Sequence, residues 1–144
     1  FRRMRHMTQP EWEAFISEGT RTGKLAIVLP SGRPSVTPVW FVYEDGVVRG
    51  QTVRTSAKAR AMAKEPRISL VVDLEVEPFG FVRLDGEVTF NDDPAEVRRI
   101  AGATGARYMG EDQREAYAER NGGADEVVWE LRPSKVVAVG DVTG

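Results

Sequence analysis

The stretch PSVTPVWFVYEDGVVRGQTV, residues 34–53, carries the clearest fold signal in the chain. Its first part, residues 34–46, has a near-alternating apolar pattern that predicts a β-strand. Asp45-Gly46 is a dipeptide typical of tight hairpin turns. The segment VVRGQTV, residues 47–53, which follows this turn, is predicted to be the return strand. The stretch therefore predicts two antiparallel strands joined by a tight turn.

The flanking sequence predicts further strands and helices around this hairpin. Helices are predicted at 10–18, 56–64 and 94–120, and strands at 24–30, 67–76, 79–92 and 127–142. We expect Gly102, Gly105 and Gly110 to split the last helical region, and Pro133 to break the last strand region. Because hairpins rather than long helical crossovers join the strands, the pattern favours a mainly β, α+β fold, an antiparallel barrel with inserted helices.

The length of 144 residues fits one domain. We expect residues 7–144 to form that domain and residues 1–6 to be an N-terminal extension, with His6 in a frayed segment. No apolar run approaches the ~20 residues needed to span a bilayer. No apolar segment follows the basic start FRRMRHM, as a signal peptide would require. The expectation is a cytoplasmic protein that does not bind membranes.

The residue types that are absent or rare exclude several functions. The chain has no cysteine and one histidine, so disulfides, a Ser-His-Asp triad, a metal centre and haem ligation are not expected. The net charge of -2 argues against nucleic-acid binding. Because the whole chain is slightly negative, any site that binds an anion must depend on a local group of basic residues. Arginine greatly outnumbers lysine among the 20 basic residues, which is typical of a GC-rich genome.

The segment TSAKAR, residues 55–60, has the composition of such a local anion site. Thr55 and Ser56 supply hydroxyls where a helix begins. Lys58 supplies a cation within its first turn, and Arg60, one turn beyond Ser56, lies on the same face as Ser56. A cation opposes the helix dipole there, which makes better sense if an anion binds. The alternative is that Ser56 is only a helix N-cap and that both cations are solvated. No Walker-type or Gly-x-Gly-x-x-Gly motif decides between these readings.

Four short motifs in order make the segment more specific. They are Gly32–Pro34, Pro38–Phe41, Ser56–Arg60 and Glu65–Arg67. Together they resemble the pyridoxamine-phosphate-oxidase-like split β-barrel family, and most closely its F420-dependent reductase branch, flavin/deazaflavin oxidoreductases of the B type. The resemblance covers residues 13–92 well and the remainder by the order of elements.

This resemblance implies an FMN-binding-like split barrel and a homodimer with cofactor sites at its interface. The cofactor would be the deazaflavin coenzyme F420 or, as the alternative, FMN. The resemblance assigns its phosphate to Thr55, Ser56, Lys58, Ala59 and Arg60, its ring to Val36, Pro38, Val39 and Trp40, and its polar rim to Gln51, Thr52 and Val53. Further wall residues are Lys24, Phe79, Gly80 and Phe81. The apolar members of this set are equally consistent with barrel core or, for Phe79 and Phe81, a dimer interface.

F420 is favoured over FMN by two features of the sequence. The chain ends VVAVGDVTG and lacks the C-terminal Arg-x-x-Pro ending of the flavin-dependent oxidases, although LRPSKV is superficially similar. The arginine-rich composition suggests an actinobacterial-type genome, where F420 is common. The resemblance then implies hydride transfer from reduced F420 to a small activated acceptor, such as an enone, a quinone-like ring or a nitro compound.

No catalytic residue is identifiable from the sequence. The proton that accompanies the hydride would come from water, Tyr43, Tyr108 or a carboxylate such as Asp73. Three alternatives stay open at this point: an FMN-binding protein similar to pyridoxamine 5'-phosphate oxidase, a carrier that binds the cofactor without turnover, and a structural dimer without a ligand.

Overall fold

The computed structural model describes residues 4–143 of the chain. Within them lie the strands β1 (Arg5–His6), β2 (Gly23–Val28), β3 (Pro34–Val39), β4 (Val42–Glu44), β5 (Val47–Val53), β6 (Arg67–Asp73), β7 (Phe81–Asn91), β8 (Glu126–Leu131) and β9 (Lys135–Asp141). The helices are α1 (Gln9–Ser17), α2 (Ala57–Lys64), α3 (Pro94–Met109) and α4 (Arg114–Asn121), with a 3₁₀ turn at Glu111–Gln113. No helix in this part of the chain is long and apolar enough to cross a membrane.

All strand pairs are antiparallel, and their order is β3-β2-β6-β7-β8-β5-β4. The long strand β7 pairs with β6 and also with β8 and β9, which run along it in succession. The expected break near Pro133 separates β8 from β9. The result is a mixed α+β fold in which an antiparallel sheet curls into a half-barrel, as the hairpin pattern predicts.

The predicted strand at 34–46 is in fact two strands at opposite ends of the sheet. β3 pairs with β2, whereas β4 pairs with β5. Only Trp40 and Phe41 separate β3 from β4. Because the first and last strands of the order are joined by two residues, the sheet must curl until an end of β3 meets an end of β4. Phe41 is fully buried at this corner, which fixes it to the core.

The hairpin turn between β4 and β5 has the predicted form. Asp45 and Gly46 both adopt positive φ angles, 51° and 79°. Glu44 then pairs with Val47, so the turn has two residues. Positive φ at both turn positions matches the right-handed twist of the flanking strands, which explains the Asp-Gly sequence.

The glycines of α3 do not break the helix, contrary to the sequence-based expectation. α3 is continuous from Pro94 to Met109, and only Gly110, with a φ of 114°, ends it. Gly102 and Gly105 lie where α4 packs closely: a Cβ on Gly105 would approach Cβ of Tyr117 to 2.3 Å. These two glycines permit the contact between the helices.

Arg5 and His6 are also more ordered than expected. Arg5 and His6 form β1, which pairs with β9, and the backbone N–H of Met7 donates to the carbonyl of Ala138 at 2.9 Å. The sheet thus includes part of the predicted extension. Residues 1–3 of that extension, and Gly144, lie outside the described residues.

Arg107 fastens α3 to the end of α1 and to the corner. Its guanidinium donates to the carbonyls of Ile16 at 2.8 Å, Gly19 at 3.0 Å and Phe41 at 2.8 Å. It also lies 4.5 Å above the ring centroid of Phe41. Burial lowers the pKa of Arg107, and the three carbonyls compensate part of that cost by accepting its hydrogen bonds.

We predict that Arg107→Ala lowers the free energy of unfolding by about 2–4 kcal/mol, because three carbonyls lose a charged donor. Chemical denaturation at neutral pH measures this difference. Arg98→Ala on the same helix is the control. The ion pair of Arg98 with Glu115 is exposed, so its loss should cost less than about 1 kcal/mol. Equal effects of the two substitutions would contradict the role of Arg107.

Candidate functional site

An open pocket of about 360 Å³ lies where the ends of β3 and β5 meet the start of α2. α3, α4 and the first residue of β8 complete its wall. The lining residues are Pro38, Val39, Trp40, Gln51, Thr52, Val53, Lys58, Thr104, Asn121 and Glu126. β3 and β5 are far apart in the order of strands, so this pocket depends on the curling of the sheet.

A larger groove of about 780 Å³ lies outside β2, β6 and β7. Several of its polar groups already bind one another or neighbouring side chains. Ser69 Oγ donates to Asp85 Oδ1 at 2.8 Å, and Arg67 is paired with Glu65. The smaller pocket instead contains polar groups without partners, which makes it the better candidate for a ligand site.

Seven residues that the sequence assigns to a cofactor line the smaller pocket together. They are Pro38, Val39, Trp40, Gln51, Thr52, Val53 and Lys58. Pro38 and Val39 form its apolar side at the end of β3, and Gln51 to Val53 form the facing side at the end of β5. The pocket thus has an apolar wall, a polar wall and a cation at the start of α2.

Lys58 is the second residue of α2 and is half-buried. Burial lowers its pKa. Its ammonium has neither a hydrogen bond nor an ion pair among the described residues, in contrast to Lys24, whose Nζ lies 2.7 Å from Asp73 Oδ1. A half-buried cation near the positive end of a helix is unfavourable unless an anion joins it. The ammonium of Lys58 is therefore available for pairing with an anionic group.

Ser56 is the N-cap of α2, which is the alternative to a phosphate contact that the sequence analysis gives for this residue. Its Oγ accepts the backbone N–H of Ala59 at 3.1 Å. The same Oγ shares a hydrogen bond of 3.2 Å with Oγ1 of Thr52 in β5. Ser56 therefore fixes the start of α2 against the end of β5, and so fixes the position of Lys58.

The other residues predicted to bind the phosphate lie outside the pocket lining. Thr55 and Arg60 are exposed. Ala59 is 5% exposed, and it lines a separate cavity with Phe90 and Val127. Its N–H is already bonded to Ser56. Within residues 55–60, the side chain of Lys58 is thus the one that lines the pocket.

Five other predicted residues also lie outside this lining; one of them, Lys24, is paired with Asp73. Val36 is 64% exposed on the edge strand β3, and Phe79 is 46% exposed before β7. Phe81 lies within the sheet, opposite Asp73. Gly80 is buried, and a Cβ there would come within 3.0 Å of backbone carbonyls in β9. The single chain does not bring these residues to the pocket.

Gln51 has an unsatisfied acceptor in the pocket wall. Its Nε2 donates to the backbone carbonyl of Asn121 at the end of α4. Its Oε1 is buried and has no hydrogen-bond partner among residues 4–143. Buried polar atoms are rarely left unpaired in native proteins, so we expect this oxygen to accept a hydrogen bond from a ligand or from water.

Trp40 offers a fixed aromatic surface at the same pocket. Its ring stacks on Tyr108, with centroids 5.0 Å apart and planes 8° apart. Tyr108 is itself held, because its hydroxyl donates to the carbonyl of Arg21 at 2.9 Å. Trp40 remains 37% exposed and lines the pocket. A planar ligand would therefore meet a preorganised ring.

Three residues that line the pocket are not predicted from the sequence: Thr104, Asn121 and Glu126. Thr104 is buried and donates its hydroxyl to carbonyls within α3. Glu126 lies opposite Val53 in the pairing of β5 with β8. No local pattern distinguishes these residues, since they reach the pocket only through helix packing and strand register.

The proton donors suggested by the sequence are engaged elsewhere. The hydroxyl of Tyr43 donates to Glu13 at 2.6 Å, and burial together with Glu13 raises the pKa of Tyr43 to about 12. Burial also raises the pKa of Tyr108. Asp73 is paired with Lys24. None of these three side chains lines the pocket, so the geometry supports none of them as a proton donor there.

Comparison with known proteins agrees with this architecture. Residues 8–140 match the family model for pyridoxamine 5'-phosphate oxidase. A structure described as an F420 reductase is 25% identical, with a TM-score of 0.65 over 86% of this chain and 94% of the other. No functionally curated protein sequence matches.

Two further solved structures share the fold at lower identity. The conserved hypothetical protein Rv2991 from Mycobacterium tuberculosis is 22% identical, with a TM-score of 0.81 over 92% of this chain and 84% of the other. HutZ, the heme storage protein from Vibrio cholerae, is 20% identical, with a TM-score of 0.71 over 92% and 95%. Because the family model spans nearly the whole chain, this protein belongs to the pyridoxamine 5'-phosphate oxidase family.

Proposed function

We propose that this protein binds coenzyme F420 in the pocket at the start of α2. In this proposal it transfers a hydride from reduced F420 to a small activated organic acceptor, such as an enone, a quinone-like ring or a nitro compound. The observation that carries the proposal is Lys58, a half-buried cation without a partner among the described residues. A phosphate of the cofactor would provide the missing negative charge.

The other pocket residues fit the ring of such a cofactor. Pro38, Val39 and Trp40 present an apolar and aromatic surface suited to a planar tricycle. Gln51 Oε1 requires a donor, and the ring imide N–H of a flavin or deazaflavin can supply one. The residues present thus match a phosphate, a flat ring and a polar ring edge.

F420 and FMN both satisfy this fit, since each is a phosphorylated tricycle. F420 is favoured by the 25% identical F420 reductase structure and by the motifs that resemble the F420-dependent branch. When bound, reduced F420 supplies the hydride. The chain itself anchors the phosphate through Lys58, holds the ring against Trp40 and shields its inner face from water.

We further propose that two copies of the chain complete each site. β3 has a free edge, and Val36 on it is 64% exposed. Phe79 is another large apolar side chain that one copy leaves uncovered. Several residues assigned to the cofactor, including these two, lie outside the pocket of their own chain. A homodimer would bury them and bring them to the partner's cofactor.

The cofactor preference can be tested by fluorescence titration of the purified protein with F420 and, in parallel, with FMN. We expect F420 to bind with a Kd in the micromolar range or tighter, and FMN to bind more weakly. Tight FMN binding with weak F420 binding would instead indicate a flavin-dependent protein. Binding of F420 without turnover of any enone, quinone or nitro acceptor would indicate a carrier.

Lys58→Ala should weaken F420 binding by about 1.5–3 kcal/mol, or roughly 10- to 150-fold in Kd, because it removes a charge-assisted hydrogen bond to phosphate. Lys64→Ala is the matched control, since Lys64 lies on the same helix but is exposed at its other end. Riboflavin, which has no phosphate, should bind wild-type protein and Lys58→Ala equally. An unchanged F420 affinity in Lys58→Ala would refute the assigned phosphate site.

The proposed dimer predicts that sedimentation at micromolar concentration gives twice the mass of one chain. Val36→Arg should shift the protein towards a monomer, because it places a charge on an apolar interface. Ser35→Arg, which alters the neighbouring half-buried position of β3, is the control for a general effect of charge. A wild-type monomer that binds the cofactor fully would contradict the shared site.

A further inference from the structure

Glu126 is an acidic side chain in a pocket proposed to hold an anion. It begins β8, lies opposite Val53 in the strand register and lines the pocket together with Lys58. Glu126 and Lys58 do not form an ion pair with each other, and neither is ion-paired to any other described residue. A carboxylate near a bound phosphate would repel it, so the presence of Glu126 requires an explanation.

The two side chains determine the charge of the pocket. Lys58 and Glu126 are the ionisable side chains among its described lining residues; Thr104 of α3 and Asn121 of α4 are neutral. The pocket has a net charge of about zero when Glu126 is ionised, and of one positive charge when Glu126 is protonated. An anion is attracted more strongly in the second case, because an ionised Glu126 offsets part of the field of Lys58.

Other charged groups near Glu126 do not line the pocket. Arg54, at the end of β5, faces the separate cavity beside Phe90. Arg60 of α2 is exposed to solvent, as is Asp125, which directly precedes Glu126. These exposed charges are screened by water and salt, whereas the half-buried pair in the pocket is screened less.

The surroundings of Glu126 favour its neutral form. Burial is the largest cause that raises its pKa, a hydrogen bond from Gln51 acts in the opposite direction, and the charge of Asp125 raises it further. A phosphate bound beside Lys58 would add a second negative charge and raise the pKa of Glu126 again. Anion binding and protonation of Glu126 therefore favour each other.

We infer that Glu126 couples anion binding in this pocket to the uptake of a proton. A phosphate-bearing ligand binds with Glu126 neutral, and ionisation of Glu126 opposes binding. The inference rests on the proposed function, in which the anion is the cofactor's phosphate. It assigns to Glu126 a regulatory role: ionisation of its carboxylate at higher pH weakens the binding of the anion.

The sign of the pH dependence follows from this linkage. Between the pKa of Glu126 in the free protein and its higher pKa in the complex, binding takes up a proton, so affinity falls as pH rises. The slope is at most about tenfold in Kd for each pH unit. For two charges on the order of 10 Å apart in a half-buried site, the total change is on the order of tenfold.

The test measures the Kd of FMN by flavin fluorescence from pH 5 to pH 9 for three proteins: wild type, Glu126→Gln and Asp125→Asn. The phosphate of FMN titrates near pH ~6 in all three cases, so their comparison isolates the side chain. We expect Glu126→Gln to bind FMN about tenfold more tightly than wild type at pH 9, where the carboxylate of wild type is ionised, and this difference to shrink as the pH falls. The Asp125→Asn control, which alters an exposed carboxylate next to Glu126, should follow wild type.

Calorimetry gives a second readout that does not depend on affinity. Titrations of FMN in buffers with different ionisation enthalpies should show proton uptake by wild type that is absent in Glu126→Gln. Riboflavin should show no difference between the two proteins, because it has no phosphate. Glu126→Ala should behave like Glu126→Gln, which separates loss of the charge from an effect of the new amide.

Two results would overturn the inference, and they differ from failure of the proposed function. If wild type and Glu126→Gln bind FMN with the same pH dependence and the same proton uptake, Glu126 is not the coupled group. Weaker binding by Glu126→Gln and Glu126→Ala at pH 9 would mean that the ionised carboxylate assists binding. If no variant binds FMN or F420 at any pH, the cofactor assignment itself fails, and the inference fails with it.

Discussion

The two-residue corner at Trp40 and Phe41 is the constraint on which the rest of the structure depends. It joins the first and last strands of the sheet order, so the sheet has to curl. Phe41 anchors the corner in the core, and Arg107 ties its carbonyl to α3 and α1. The curl places the end of β3 opposite the end of β5. The pocket exists because these two distant strands face each other across the start of α2.

Charge and hydrogen bonding determine which groups in the pocket are left to bind a ligand. Ser56 and Thr52 fix the start of α2 against β5, which leaves the ammonium of Lys58 half-buried and unpaired among the described residues. Gln51 adds an acceptor without a donor. A folded chain pays a free-energy cost for such groups, and ligand binding can recover that cost. These groups, more than the shape of the cavity, make this pocket the candidate ligand site.

The sequence predicts those features that depend on local chemistry. The Asp45-Gly46 turn requires positive φ at both positions, and the Ser56 cap requires only a hydroxyl three residues before an N–H, so both are visible in the chain itself. The strand at 34–46 was wrongly predicted as one element, because local apolar alternation continues through the corner. Only tertiary pairing assigns its two halves to different edges.

Glycines and acidic residues were harder to interpret for the same reason. Gly105 looks like a helix breaker in sequence, yet its role is to let Tyr117 of α4 approach α3. Glu126 has no distinctive neighbours along the chain, and its place in the pocket is set by the register of β8 against β5. Fold-family resemblance carried the assignment of Lys58 and Gln51, but it gave no indication of the opposing carboxylate.

In the function proposed for this protein, the start of α2 holds the phosphate of a flavin-type cofactor. A crystal structure of the protein grown with F420 or FMN tests it most directly. We expect a phosphate oxygen within hydrogen-bond distance of Lys58 Nζ and the ring against Pro38 to Trp40. A cofactor bound elsewhere, with Lys58 still lacking an anionic partner, would contradict it.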